Sequence, residues 1–197
     1  MTHLLEEQRA DFARRRFLAM PLAGTFVWLI VAIASVTLSP SMAAWVLLIG
    51  TGSIFWFAVL ISQFTDEDLL GRRGPRNEFD RLFFSVIAST WLVFAIAIPF
   101  FLENHASLSL SVGILTGLMW LPFSWIVSSW IGYAHGISRT ALVLIAWYVF
   151  PQHRMLAVAL VIVTMYLITI FLLERRWRAL QETQMPIPSR AARAVRE

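Results

Sequence analysis

The sequence predicts an all-α fold, a polytopic membrane bundle of six transmembrane helices with both termini cytoplasmic. Three observations carry that expectation. Asp, Glu, Lys and Arg are missing from residues 17–65, 82–102, 104–138 and 155–173. One charge at the centre of a membrane helix costs about 2.5–3.5 kcal/mol on the insertion scale, and a span needs about 20 mostly apolar residues. Hydrophobic residues make up 58% of the chain and charged ones only 14%, where a soluble domain carries about 25% charged residues. The basic residues, 16 in all and every one an arginine, also divide by side. Arg9, Arg14, Arg15 and Arg16 precede the first apolar run, and Arg72, Arg73, Arg76 and Arg81 lie between the second and third. Arg139 follows the fourth run, six more follow the last, and only Arg154 falls on the opposite side. Cytoplasmic loops hold such an excess.

Turn and polar clusters divide the apolar runs into spans. The first covers 20–38 and stops at "SPSM", and the second covers 43–61. The cytoplasmic loop "TDEDLLGRRGPRNEFDR" follows, with Thr65 and Asp68 spaced as a helix cap and Asn77 placed to cap the third span, 82–102. The fourth span covers 110–131, and Pro122 within it removes the bond to the Leu118 carbonyl and should kink it. The fifth, 138–150, is short and draws on "GYAHG" before it to cross; the sixth covers 155–173. The chain thus divides into an N-terminal cytoplasmic segment (1–19), a transmembrane domain (20–173) and a basic tail (174–197). "ERRWRALQETQ" extends the last helix into the interface. "RRRFLAM" at 14–20 has the look of a twin-arginine export signal. Five further spans favour an anchoring charge cluster instead.

The arginines group by membrane side and not on a folded soluble face, so no nucleic-acid partner is expected. Arg72, Arg73 and Arg76 suit anionic lipid headgroups; orientation and solvation alone also explain them. The absence of cysteine removes disulfides, thiol redox chemistry and thiolate metal sites. Glu103, His105, His153 and Arg154 share the outer face, but no pair has helix-face ligand spacing, and neither metal nor cofactor is expected. No ionisable residue is expected at the middle of a span, which argues against proton-coupled transport and intramembrane acid–base catalysis.

The tryptophans are less ordinary. Trp45, Trp130, Trp147 and Trp177 fit interfacial belts, whereas Trp28, Trp91 and Trp120 fall near the centres of spans one, three and four. Trp56 lies about one turn from the centre of span two. A buried indole N–H wants an acceptor. In "LMWLPFSWIVSSWIGYAHG" (118–136), Trp120, Ser124, Ser128 and, if the helix lasts that far, His135 fall with Gly117 within about 80° of one another. Trp28, Trp56, Trp91, Trp120, Ser124, Ser128 and His135 therefore form the candidate ligand-binding set. The competing account is packing, with large rings set against the small residues "GTGS" (50–53).

The order "PLAGTFVWLIVAIAS", "GTGSIFWFAVLIS" and "LTGLMWLPFSW" resembles an uncharacterised family of small bacterial multi-pass inner-membrane proteins, from about Pro21 to Leu167. Its Trp120–Ser124 segment is the most distinctive. The resemblance implies a bacterial cytoplasmic membrane location and supplies no activity. Function is expected to be the binding or passage of a small uncharged or aromatic molecule in an aromatic cavity within the bundle. The alternative is a structural or adaptor subunit whose partner is a second copy or another membrane protein.

Overall fold

The computed structural model describes residues 2–71 and 77–184. They are helical, with no strand among them, and form a polytopic membrane bundle. A short helix α1 (Thr2–Ala13) precedes α2 (Ala19–Thr37) and α3 (Pro40–Ser62), which pair through the tight turn at Leu38–Ser39. Ser39 caps α3 by accepting from the Met42 N–H at 3.4 Å, and Pro40 occupies the first turn, where its missing N–H costs nothing. After the 63–77 loop come α4 (Glu78–Leu92) and α5 (Phe94–Glu103), one apolar stretch broken at Val93. Asn77 caps α4 as the sequence suggests, accepting from the Phe79 N–H at 2.9 Å. Thr65 caps nothing. Its hydroxyl donates back to the Ile61 carbonyl at 3.4 Å, and 63–70 forms turns with no helix. Arg72, Arg73 and Arg76, expected to meet lipid, lie outside the described residues.

The next stretch consists of α6 (Ser107–Leu115), a 3-10 turn over Thr116–Met119, and α7 (Trp120–Val127). Pro122 has no N–H to give the Leu118 carbonyl, and the ladder tightens just before it to 3-10 geometry. The α7 helix stops at Ser128, whose φ of 51° is left-handed, and Ser129 then caps α8 (Trp130–Val149). The fifth helix thus begins eight residues earlier than the charge-free run suggests. Helix α9 (Arg154–Gln184) runs past the last apolar run and through "ERRWRALQETQ".

Five of these stretches are long and apolar enough to cross a membrane: Ala19–Thr37, Pro40–Ser62, Glu78–Glu103, Ser107–Val127 and Arg154–Thr183. The 20-residue α8 has the length without that apolarity. Helix α2 packs on α3 and α9, α8 on α9 and α7, and α6 on both α8 and α9. The core runs through Val27, Trp28, Leu47, Val112, Val143 and Ile162, each almost wholly buried.

Candidate functional site

At the middle of the bundle lies Arg139, the tenth of the 20 residues of α8 and entirely buried. Its Nε donates to the Gly113 carbonyl at 2.8 Å, Nη1 to the Tyr166 hydroxyl at 3.2 Å and Nη2 to Thr116 Oγ1 at 2.9 Å. The rings of Trp28 and Tyr166 face the guanidinium at 5.9 and 5.4 Å. Space for the side chain comes from Gly117, where an added Cβ would stand 3.1 Å from Arg139 Cδ. This corrects two readings of the sequence. Arg139 belongs to no loop, and an ionisable residue does occupy mid-helix. The cause is the early break at Ser128: starting α8 at Trp130 carries Arg139 half a span deeper.

One helical turn before Arg139, His135 is also buried. Its Nδ1 lies 2.6 Å from Thr169 Oγ1, and that hydroxyl donates to the Met165 carbonyl at 2.8 Å. With the threonine proton committed, the neutral imidazole carries its hydrogen on Nδ1 and leaves Nε2 as an acceptor. No donor among the described residues reaches Nε2. The ring stacks on Trp120 with centroids 4.4 Å apart and lies 5.2 Å from Tyr166. The indole N–H groups of Trp120 and Trp28 are buried without acceptors among the described residues. Ser124 ties the helix break together: its hydroxyl donates to the Ser129 carbonyl and accepts from the Tyr133 N–H at 3.0 Å. Gly132 lets α8 lie directly against the α7 backbone, because a Cβ there would meet the Trp120 carbonyl and Ser124 Cα.

Three cavities lead from one end of the bundle to this centre. The outermost, about 470 Å³, is bordered by α1, residues 65–69, α4 and α9, with Arg15, Arg16, Glu67 and Trp177 on its walls. Arg15 pairs with Asp80 (Nη2 to Oδ2, 3.0 Å), and Arg16 with Glu174 at 2.8 Å, which holds the Arg16 guanidinium above its ordinary value. A neck of about 20 Å³ shares Phe17, Glu67, Leu69 and Phe83 with that vestibule. The inner cavity, about 40 Å³, shares Met20, Met119 and Trp120 with the neck and adds Thr51, Thr90, Trp91, Thr116 and Tyr166. Two of Arg139's three acceptors thus form part of its wall.

Of the sequence's candidates, Trp120 and Trp91 line the inner cavity, and His135 stacks behind Trp120. Trp28 lies on the far side of the guanidinium. Ser124 holds the helix junction, Ser128 is exposed at the break, and Trp56 points outward at 58% exposure. The single helical stripe does not exist as drawn, since Trp120 and His135 sit on different helices; the turn at Ser128 folds them together all the same. Among the described residues no cluster of three His, Asp or Glu side chains offers a metal site, and His105 packs on Phe101. Arg139, Tyr166, Thr116 and Thr169 were missed. The available signal was Arg139 placed four residues after His135 with apolar residues beyond, a pattern that reads equally as one helix or as a loop.

No curated protein and no solved structure matches this chain. A family model does, and its range reaches from α1 through the Arg139 centre into the second half of α9. Matched over residues 5–176, the chain belongs to DUF7010, a family of unknown function.

Proposed function

We propose that this protein holds a small hydrogen-bond-accepting solute at the middle of a bacterial cytoplasmic membrane, in the 40 Å³ cavity beside Arg139. Six spans with α8 as the fifth, and both termini inside, put the vestibule on the cytoplasmic face. Fourteen of the 16 arginines then belong to cytoplasmic segments, with Arg139 buried and Arg154 outside. The observation that carries the reading is the imbalance on the cavity wall. Tyr166 accepts from Arg139, a group that can only donate, so its own phenol proton is free. The Trp120 N–H has no acceptor among the described residues either. The cavity has room for one or two molecules of water size at roughly 30 Å³ each. An aromatic ring, which needs a void of about 150 Å³, does not fit.

The chain lacks cysteine, so a single introduced thiol reports access cleanly. Met119 borders both neck and inner cavity. In nitrate buffer a Met119→Cys thiol should be blocked by Ag⁺, an ion small enough for the cavity, in the folded protein, and a thiol that stays free until unfolding would sink the proposal. One observation favours the structural or adaptor alternative: α3 and the α4–α5 stretch have only 22% of their apolar windows buried, leaving a broad face for a second copy or another membrane protein. On that reading the inner cavity is a packing void, and Thr51→Ile would stabilise the bundle by filling it.

A further inference from the structure

We infer that the occupant of the inner cavity is a monovalent anion of halide size, held by the Tyr166 O–H and Trp120 N–H as the counter-charge of buried Arg139. The inference rests on the solute-binding reading above and names the class of solute. A guanidinium does not deprotonate in proteins, so Arg139 stays cationic wherever it is buried. A buried charge normally stands beside an opposite one. Here none is available from the chain. No Asp or Glu occurs in residues 17–65, 82–102 or 104–173, which make up every apolar helix that meets Arg139. The ion pairs of the described residues all lie at the α1 end of the bundle, and none includes Arg139.

The guanidinium reaches three neutral acceptors, the Gly113 carbonyl and the hydroxyls of Thr116 and Tyr166. These satisfy hydrogen bonds and leave the net charge in place. Two of them, Thr116 and Tyr166, also line the cavity, and they differ in what they offer. The Thr116 hydroxyl is fully used, donating to the Val112 carbonyl at 2.6 Å while accepting from Arg139. The Tyr166 hydroxyl accepts from Arg139 and still has its own proton to give. Thr51 and Thr90 donate to their own helix carbonyls at 2.6 Å, and their oxygens stay passive. The remaining polar groups on the wall are the indoles of Trp91 and Trp120, again donors, and that of Trp120 is buried without an acceptor among the described residues. The free protons on this wall belong to Tyr166 and two indoles, one residue removed from an unbalanced cation, and that arrangement favours an anion over a neutral solute. Its volume restricts the anion to one or few atoms. The other walls are Met20, Ile54, Phe55, Ile87 and Met119, apolar and polarisable surfaces that suit a large weakly hydrated halide over a small hydrated ion.

The test uses the full chain in nanodiscs, moved into gluconate at constant ionic strength and titrated with chloride or bromide. Gluconate is too large for the cavity. A saturable rise in melting temperature is expected with either halide. Trp120→Phe keeps the ring and removes the N–H, and should weaken halide affinity by about tenfold or more. Trp45→Phe, on the exposed side of α3, should leave it unchanged. Chlorine-35 line broadening by the wild-type protein gives a second readout that needs no variant. No halide dependence by either method overturns the inference, as does undiminished binding in Trp120→Phe, which would assign the ions to surface arginines. If Ag⁺ blocks Met119→Cys while halides do nothing, the solute site stands and its anionic character fails; if neither occurs, both fall.

Discussion

The apolar stretches divide into two groups alike in hydropathy and unlike in burial. Ala19–Thr37, Ser107–Val127 and Arg154–Thr183 average 2.0, 1.7 and 2.8, with 50%, 44% and 44% of their windows inside the bundle. Pro40–Ser62 and Glu78–Glu103 both average 2.1, with 22% inside. In lipid an apolar side chain gains little by turning inward, because the solvent outside is equally apolar. Small and polar residues make the difference. The inner group contributes Gly24, which admits the Tyr166 ring, and Gly117, which admits Arg139. It also contributes Thr116 and Thr169 to the Arg139 and His135 bonds. In the outer group Ser53, Ser89 and Thr90 spend their hydroxyls on their own helix carbonyls. Polar residues that reach another helix mark the core here, whereas a bond back to the residue's own helix occurs in both groups, as at buried Thr25.

Tryptophan offers the sharpest way to break this comparison, since the sequence treats Trp28 and Trp56 alike. Trp28 is fully buried and Trp56 is 58% exposed. Trp28→Ala should cost about 3–5 kcal/mol of bundle stability. Trp56→Ala should stay within about 0.5 kcal/mol. Unfolding in mixed micelles by titration with a denaturing detergent measures both, and equal losses would erase the distinction between the groups. The next effect is smaller. Gly132→Ala drives a methyl into the α7 backbone, and overpacking of that kind costs about 1–3 kcal/mol. Gly52→Ala has only the Phe94 ring edge at 4.0 Å to meet and should be neutral in the same assay.

Smaller again is the loss expected of Thr169→Val, which removes the acceptor for His135 Nδ1–H at a cost of about 1–2 kcal/mol. Nitrogen-15 spectra of the histidine ring supply a sharper readout. They should show the hydrogen on Nδ1 in the wild-type protein and lose that bias in the variant. A wild-type ring protonated on Nε2 would contradict the bond order Thr169 imposes.

How far the sequence reaches is clearest at the two ends of α8. The helical class, the membrane setting and most helix limits follow from charge-free runs and caps, because lipid excludes charge and unpaired backbone strongly enough to write both into composition. Ser39–Pro40 and Asn77 were legible for that reason. The start of α8 was not. It depends on Ser128 taking a left-handed conformation, which nothing in "IVSSWIG" distinguishes from a continuing helix. Arg139 then read as a loop residue by the rule that assigns arginines to the ends of spans. The site was half legible. Trp120 and His135 stood out by type, while Tyr166 and Thr116 look like ordinary helix residues until α9 and α6 are folded against Arg139.

Glu67 offers the smallest effect, and it tests whether the neck belongs to the site or only to the fold. Its Oε1 accepts from the N–H groups of Leu18 and Ala19 at 2.9 and 3.0 Å, closing the start of α2, while its side chain borders vestibule and neck. Burial raises the carboxyl above its ordinary value, outweighing those two bonds and the nearby Arg16. The folded state therefore holds this proton more tightly than the unfolded chain does. Its contribution is complete below the ordinary carboxylate range and is lost as pH rises through the raised value. Glu67→Gln keeps an oxygen for both N–H groups and has no proton to lose. Melting temperature measured from pH 4 to 8 should fall less steeply in Glu67→Gln than in the wild-type protein, with the two curves within about 0.5 kcal/mol of each other at neutral pH. Glu67→Ala, which leaves the α2 start uncapped, should lose about 1 kcal/mol at every pH. Parallel curves for wild type and Glu67→Gln would mean that the carboxylate is ordinary, and that the neck is a wall of the fold with no electrostatic character of its own.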